Sequence, residues 1–132
     1  MKKILSLLMC AMVIGACQQK ETPEEQANTF LKLSRSSLSV NDFARAKAYI
    51  DSLRSKCPTA LNARESAIIL LDSINIAQSK AELQKMEEEM GKIVNPDKIA
   101  KDTLDFYHDE AKEKVRFFER KLQHDIQHKA IH

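Results

Sequence analysis

Residues 60–90 read ALNARESAIILLDSINIAQSKAELQKMEEEM, and this stretch decides the fold. Ala60, Ala63, Ala67, Leu70, Ile74, Ala77 and Ala81 recur at alternating steps of three and four, the seam of a packed or coiled helix. On another side of the same helix Ile69, Ile76, Leu83 and Met90 repeat every seven residues. A helix with two apolar stripes has to be covered from two directions. The first half of this one is therefore expected at the centre of a bundle, sheltered by the segments on its amino-terminal and carboxy-terminal sides.

The next segment opens at Asn95-Pro96-Asp97, after Gly91 as a carboxy-terminal cap. Asn95 can cap a new helix and Pro96 can occupy its first turn. From there Leu104, Tyr107, Ala111, Val115, Phe118, Leu122 and Ile126 step by three, four, four, three, four and four. That 11-residue period belongs to a nearly straight helix, long enough to fold back along the one before it. Burial between these two long helices, at roughly 25 cal/mol per Å², is the expected main source of stability.

Upstream, a helix over about 24–37 carries Phe30, Leu33 and Leu38 as its apolar points. A second begins at Asn41, a good amino-terminal cap, and carries Phe43, Ala46, Tyr49, Ile50 and Leu53 before Pro58 ends it. A joint as short as Ser39-Val40 forces the two into an antiparallel hairpin. Glycines are confined to Gly15 and Gly91 and prolines to 23, 58 and 96, and no stretch alternates with period two. The expectation is an all-α chain with no sheet: a short helical hairpin at about 24–57 packed on a long antiparallel hairpin or coiled coil at about 60–90 and 96–130.

Over residues 27–60 the chain resembles a single tetratricopeptide repeat. Phe30 and Leu33 fall at the large apolar positions of the repeat's first helix, and Asn41-Asp42-Phe43, Ala46, Ile50, Leu53 and Pro58 follow the spacing of its second. Ser34 stands where the repeat has a small glycine or alanine. Arrays of this family need about three copies to bury a continuous core, so one copy implies a repeat-like hairpin and no superhelical groove.

The amino terminus has an address of its own. Lys2 and Lys3 precede an apolar run at 4–14, which is 11 residues long and ends at Gly15, Ala16 and Cys17. A span needs about 20 apolar residues, so the run is a secretory signal, not a membrane helix. Ile14-Gly15-Ala16-Cys17 resembles the lipobox of bacterial lipoproteins. The resemblance implies removal of residues 1–16, acylation of Cys17 and stable attachment to a bilayer through two or three chains. It also implies a bacterial cell-envelope location, most simply the outer membrane, facing the periplasm or the cell surface. Residues 17–23 then form the lipidated cysteine and a polar tether, and 24–132 a single helical domain.

Loss of Lys2 and Lys3 lowers the basic count from 21 to 19, equal to the 19 acidic residues. The two signs are interleaved, so a nucleic-acid surface is excluded as a reading, and anionic lipid gains no hold beyond the anchor. Cys10 leaves with the signal and Cys17 takes the lipid, so Cys57 has no internal disulfide partner and reads as a packing cysteine at a helix end.

Catalytic patterns are missing: no glycine-framed serine, no histidine near Cys57, no phosphate-cradling loop. The expectation is no enzyme and no cofactor beyond the covalent lipid. His124, His128 and His132 stand at steps of four beside Asp125. Two imidazoles one turn apart can share Zn²⁺ or Cu²⁺, although the same residues also make an ordinary solvated helix end. Of the aromatics in the last helix, core packing accounts for Tyr107 and Phe118, which leaves Phe106 and Phe117 as candidates for a contact surface. The function expected is a helical protein-interaction or structural module, its partner unidentified. The alternative is a ligand- or metal-binding lipoprotein that uses His124 and His128.

Overall fold

In the computed structural model of the protein, which describes residues 21–131, the chain forms four helices. These are α1 (Pro23–Ser39), α2 (Phe43–Lys56), α3 (Leu61–Met90) and α4 (Lys98–Ile131), and no strand occurs among the described residues. The fold is all-α, as the periodicities require.

The start of α1 is held by a reciprocal cap. The Glu25 amide donates to Thr22 Oγ1 at 3.2 Å and Glu25 Oε2 accepts the Thr22 amide at 2.7 Å. The Thr22 amide and the Thr22 hydroxyl, at 3.0 Å, both donate to that carboxylate and favour its charged form, so the Glu25 pKa lies below the ordinary value.

The caps of α2 and α4 differ from expectation. Asn41 and Asn95 both take left-handed backbone, with φ 58° and 53°, a conformation asparagine tolerates well. The capping is done downstream of each: Asp42 Oδ1 accepts the Arg45 amide at 3.0 Å, and Asp97 Oδ1 accepts the Ala100 amide at 2.7 Å. Accordingly α4 begins at Lys98, with Pro96 outside it. Gly91 does end α3, but with φ −64° and so without using the freedom of glycine.

The core lies between the α1–α2 hairpin and the first half of α3. Ala27 and Leu31 of α1, Ala46, Ile50 and Leu53 of α2, Cys57 and Ala60 after it, and Ala63, Ala67, Leu70 and Ile74 of α3 form one buried cluster. The alanine seam on α3 lets the helix axes approach closely, and Phe30, Leu38 and Phe43 close its edges. Leu33, expected inside, is 40% exposed. The inward line of α1 runs instead through Ala27, Leu31, Ser34 and Ser37.

Ser34 is buried, and its hydroxyl donates to the Ala46 carbonyl at 2.8 Å, so the small residue sits where α1 and α2 approach each other. Glu24 ties the hairpin to the next helix. Ala60 offers α3 no side-chain cap, and Glu24 Oε1, from the first turn of α1, accepts the Ala63 amide at 2.8 Å.

The helix α3 is covered from two directions. The hairpin packs on one face and α4 on another, and among the described helices α4 touches α3 alone. The α3–α4 contact is not the main reservoir of apolar burial that the spacing predicts. Val115 is the buried apolar residue of α4, while Leu104, Ala111, Phe118 and Leu122 are half-buried. With no third described element over this pair, its seam is open along both sides among the described residues. Ala81, the last residue of the alanine line, lies beyond the reach of the hairpin and is exposed.

A candidate interaction surface on the last helix

Polar links running antiparallel set the register of α4 on α3. Lys129 Nζ donates to Ser66 Oγ at 2.9 Å, Lys121 to Asp72, Lys114 to Glu82 at 2.7 Å, and His108 Nε2 lies 3.0 Å from Glu87. Lys80 and Glu119 add a further pair at 2.7 Å.

The pair inside this ladder differs from the rest. The Asp72 side chain is 2% exposed, and Lys121 Nζ donates to both of its oxygens at 2.8 and 2.9 Å and to Asp125 Oδ2 at 2.7 Å. Burial raises the Asp72 pKa despite the ammonium beside it. Asp125, more open and bonded to Lys121 and His124, is held far below the usual carboxylate range, and the two carboxylates raise that of Lys121. Sequence reasoning misses this cluster. The signal for it is an acid inside the run Ile68-Ile69-Leu70-Leu71-Asp72, with Lys121 and Asp125 spaced one turn apart on the facing helix.

Phe106 and Phe117 lie as expected on the surface, 65% and 55% exposed. Tyr107 does not pack in the core: it is 52% exposed, because no other described element covers the edge of the α3–α4 seam where it lies. Each candidate is half of a pair. Phe106 and Tyr107 meet edge to face with ring centroids 5.6 Å apart, and Phe117 and Phe118 do so at 5.2 Å. Tyr107, Phe117 and Phe118 line a depression of about 540 Å³ against Met86 of α3, bordered by Glu82, Glu110, Glu113 and Lys114. An open aromatic depression with charged borders is suited to taking up another protein's side chains.

The histidine candidates come together in part. The rings of His124 and His128 are 5.3 Å apart and tilted by 45°, on successive turns. His124 Nδ1 lies 3.0 Å from Asp125 Oδ1, and Asp125 also receives Lys121. His128 borders a separate groove of about 280 Å³ with Glu65, Ile68, Ile69, Asp125 and Lys129. His132 lies outside the described residues, among which no group of three or more His, Cys, Asp or Glu side chains is arranged to hold a metal ion.

Cys57 is fully buried, its thiol 3.4 Å from Gln26 Oε1, in keeping with a packing role. Cys17 and the apolar run at 4–14 lie outside the described residues, and none of the helices described is long and apolar enough to cross a membrane. No family model, no curated protein and no solved structure matches this chain.

Proposed function

We propose that the chain is an envelope lipoprotein, acylated at Cys17, whose helical domain serves as a protein-interaction module, with the aromatic side of α4 as its working surface. The observation that carries this reading is the exposure of Phe106, Tyr107 and Phe117 on one helix of a domain whose core is complete elsewhere. Apolar surface of this kind, kept in water, marks a contact site more often than a packing fault. The lipobox supplies the address, and the polar residues between Cys17 and the Thr22 cap of α1, a tether shorter than 17–23, hold the helices close to the bilayer.

Metabolic labelling with a fatty-acid probe tests the anchor: label on the wild type and none on Cys17→Ser is expected, and an unlabelled wild type overturns it. A photo-crosslinking residue at Phe117 tests the surface. Adducts are expected there and not at Glu119, about 160° round α4 from Phe117; equal yields at the two sites defeat the assignment.

The second reading, a metal-binding lipoprotein, draws on the closeness of the His124 and His128 rings. Isothermal titration with Zn²⁺ and with Cu²⁺ decides it. Binding abolished by His124→Ala and by His128→Ala supports it, and binding indifferent to both removes it.

A further inference from the structure

The run 106–118, FYHDEAKEKVRFF, is symmetric about residue 112 in a chemical sense. An aromatic pair stands at each end, and Glu110 and Lys114 stand at equal distances on either side of the centre. The two aromatic pairs are eleven residues apart, about three turns and roughly 16 Å, and at about 100° per residue they share one side of α4. Glu110 and Lys114 project between them on the same side.

We propose that this side of α4 is a dimer interface and that its occupant is a second copy of the chain, with the two α4 helices antiparallel across a two-fold axis at the level of residue 112. A two-fold contact requires a surface complementary to itself. In this register Phe106 meets Phe117 of the second copy, Tyr107 meets its Phe118, and Glu110 meets its Lys114. Each contact occurs twice. Among the described residues Glu110 has no ion-pair partner, and Lys114, bonded to Glu82, remains half exposed and able to take a second carboxylate. A parallel arrangement would set Glu110 against Glu110 and Lys114 against Lys114, so charge selects the antiparallel one. If both copies are anchored in one membrane, which rests on the proposed acylation of Cys17, confinement raises their effective concentration, and a modest intrinsic affinity suffices.

Sedimentation of the chain from Gln18 onward, which contains all four helices and the whole buried core, tests the proposal. A species of about twice the monomer mass is expected in the micromolar range. Glu110→Lys sets lysine against lysine twice over and should weaken association about tenfold or more, and Lys114→Glu should do the same through paired glutamates. The double variant E110K/K114E restores opposite charges at both crossings and should recover the dimer. Circular dichroism of each variant monitors folding. If Lys114→Glu unfolds the chain through loss of its bond to Glu82, then Glu110→Lys and Phe117→Glu, which break no polar link to α3, carry the test.

A wild type that stays monomeric overturns the proposal, as does a dimer indifferent to Glu110→Lys or a double variant that is folded by circular dichroism and stays apart. A monomeric protein that still gives adducts at Phe117 in cells would sink the dimer and leave the interaction module standing. A dimer without acylation at Cys17 would do the reverse for the anchor.

Discussion

Replacing Lys121 with Met removes the cation that seals Asp72 into the α3–α4 seam and leaves a chain of similar length in its place. Asp72 would then hold a charge in a site where its side chain is 2% exposed, with its bonds at 2.8 and 2.9 Å gone. Breaking a fully buried pair costs about 3–5 kcal/mol. Lys121 is itself 40% exposed, and screening reduces the loss to about 2 kcal/mol at neutral pH. For a domain of this size that is a fall in Tm of roughly 10 °C.

The pH dependence gives the sharper test. A carboxyl whose folded pKa lies above its unfolded one binds its proton more tightly when folded, so its contribution is present at low pH and lost as pH rises through the folded value. Asp72, raised by burial, is of this kind, and more so without Lys121. Asp125 is the opposite case: held low chiefly by Lys121, it stabilises the wild type above the ordinary value of 3.8 and ceases to do so as pH falls. The variant lacks that contribution from the start. Protonation of Asp72 narrows the gap between variant and wild type first, and loss of the Asp125 contribution narrows it further only below the ordinary value of 3.8, so thermal melts followed by circular dichroism should show a deficit at pH about 7 that shrinks as pH falls toward about 4.5 and further still toward about 3. A deficit that is the same across this range, or under about 0.5 kcal/mol at neutral pH, refutes the view that Asp72 is a sealed charge. Replacing the pair together, as Asp72→Leu with Lys121→Met, should return most of the loss.

Three further outcomes separate the parts of the fold. Ile50→Ala, in the fully buried hairpin core, should cost about 2–5 kcal/mol in a urea melt, whereas Val115→Ala, in the thinner α3–α4 seam, should cost under about 2 kcal/mol. Glu24→Ala strips the amino end of α3 of its one side-chain acceptor and should cost about 1 kcal/mol, with loss of hydrogen-exchange protection at Ala63. Cys57 should react with a thiol reagent only as fast as the domain opens, so its labelling rate should rise in step with urea; immediate labelling in native buffer would contradict its burial.

Element type and order are legible because the chain states its periodicity plainly: the alanine line of residues 60–81 and the stepping of 104–126 each belong to a helix, and Pro58 and Gly91 mark two of the joints. Burial is less so. Leu33 and Leu31 are equally apolar, and only the close approach at Ser34 and Ala46 decides that Leu31 turns inward. Asn41 and Asn95 have the chemistry of caps, but so do Asp42 and Asp97, and the left-handed backbone that makes the asparagines into joints is set by the path between helices. Of the surface candidates, Phe106 and Phe117 are readable as apolar positions off the seam. Tyr107 is not, because its exposure depends on the absence of any described element over the α3–α4 pair.

That absence ties stability to the proposed contact surface. The hairpin and the first half of α3 bury alanines and branched side chains against one another on three helices, whereas α4 rests on a single helix and is registered by lysines against carboxylates and a serine. Polar registration, with Val115 and the half-buried Phe118 in the seam, fixes where α4 lies without consuming Phe106, Tyr107 or Phe117. Had Phe106, Tyr107 and Phe117 been needed for the core, their burial would have closed the domain and left a charged, inert cylinder. Because the core is complete without them, they can be changed at little cost to folding, and a substitution such as Phe117→Ser should lower the Tm of the monomer by no more than about 5 °C, through its edge-to-face contact with Phe118, while abolishing association. A loss of stability comparable to that of Ile50→Ala would mean instead that the aromatic side of α4 belongs to the fold and not to a partner.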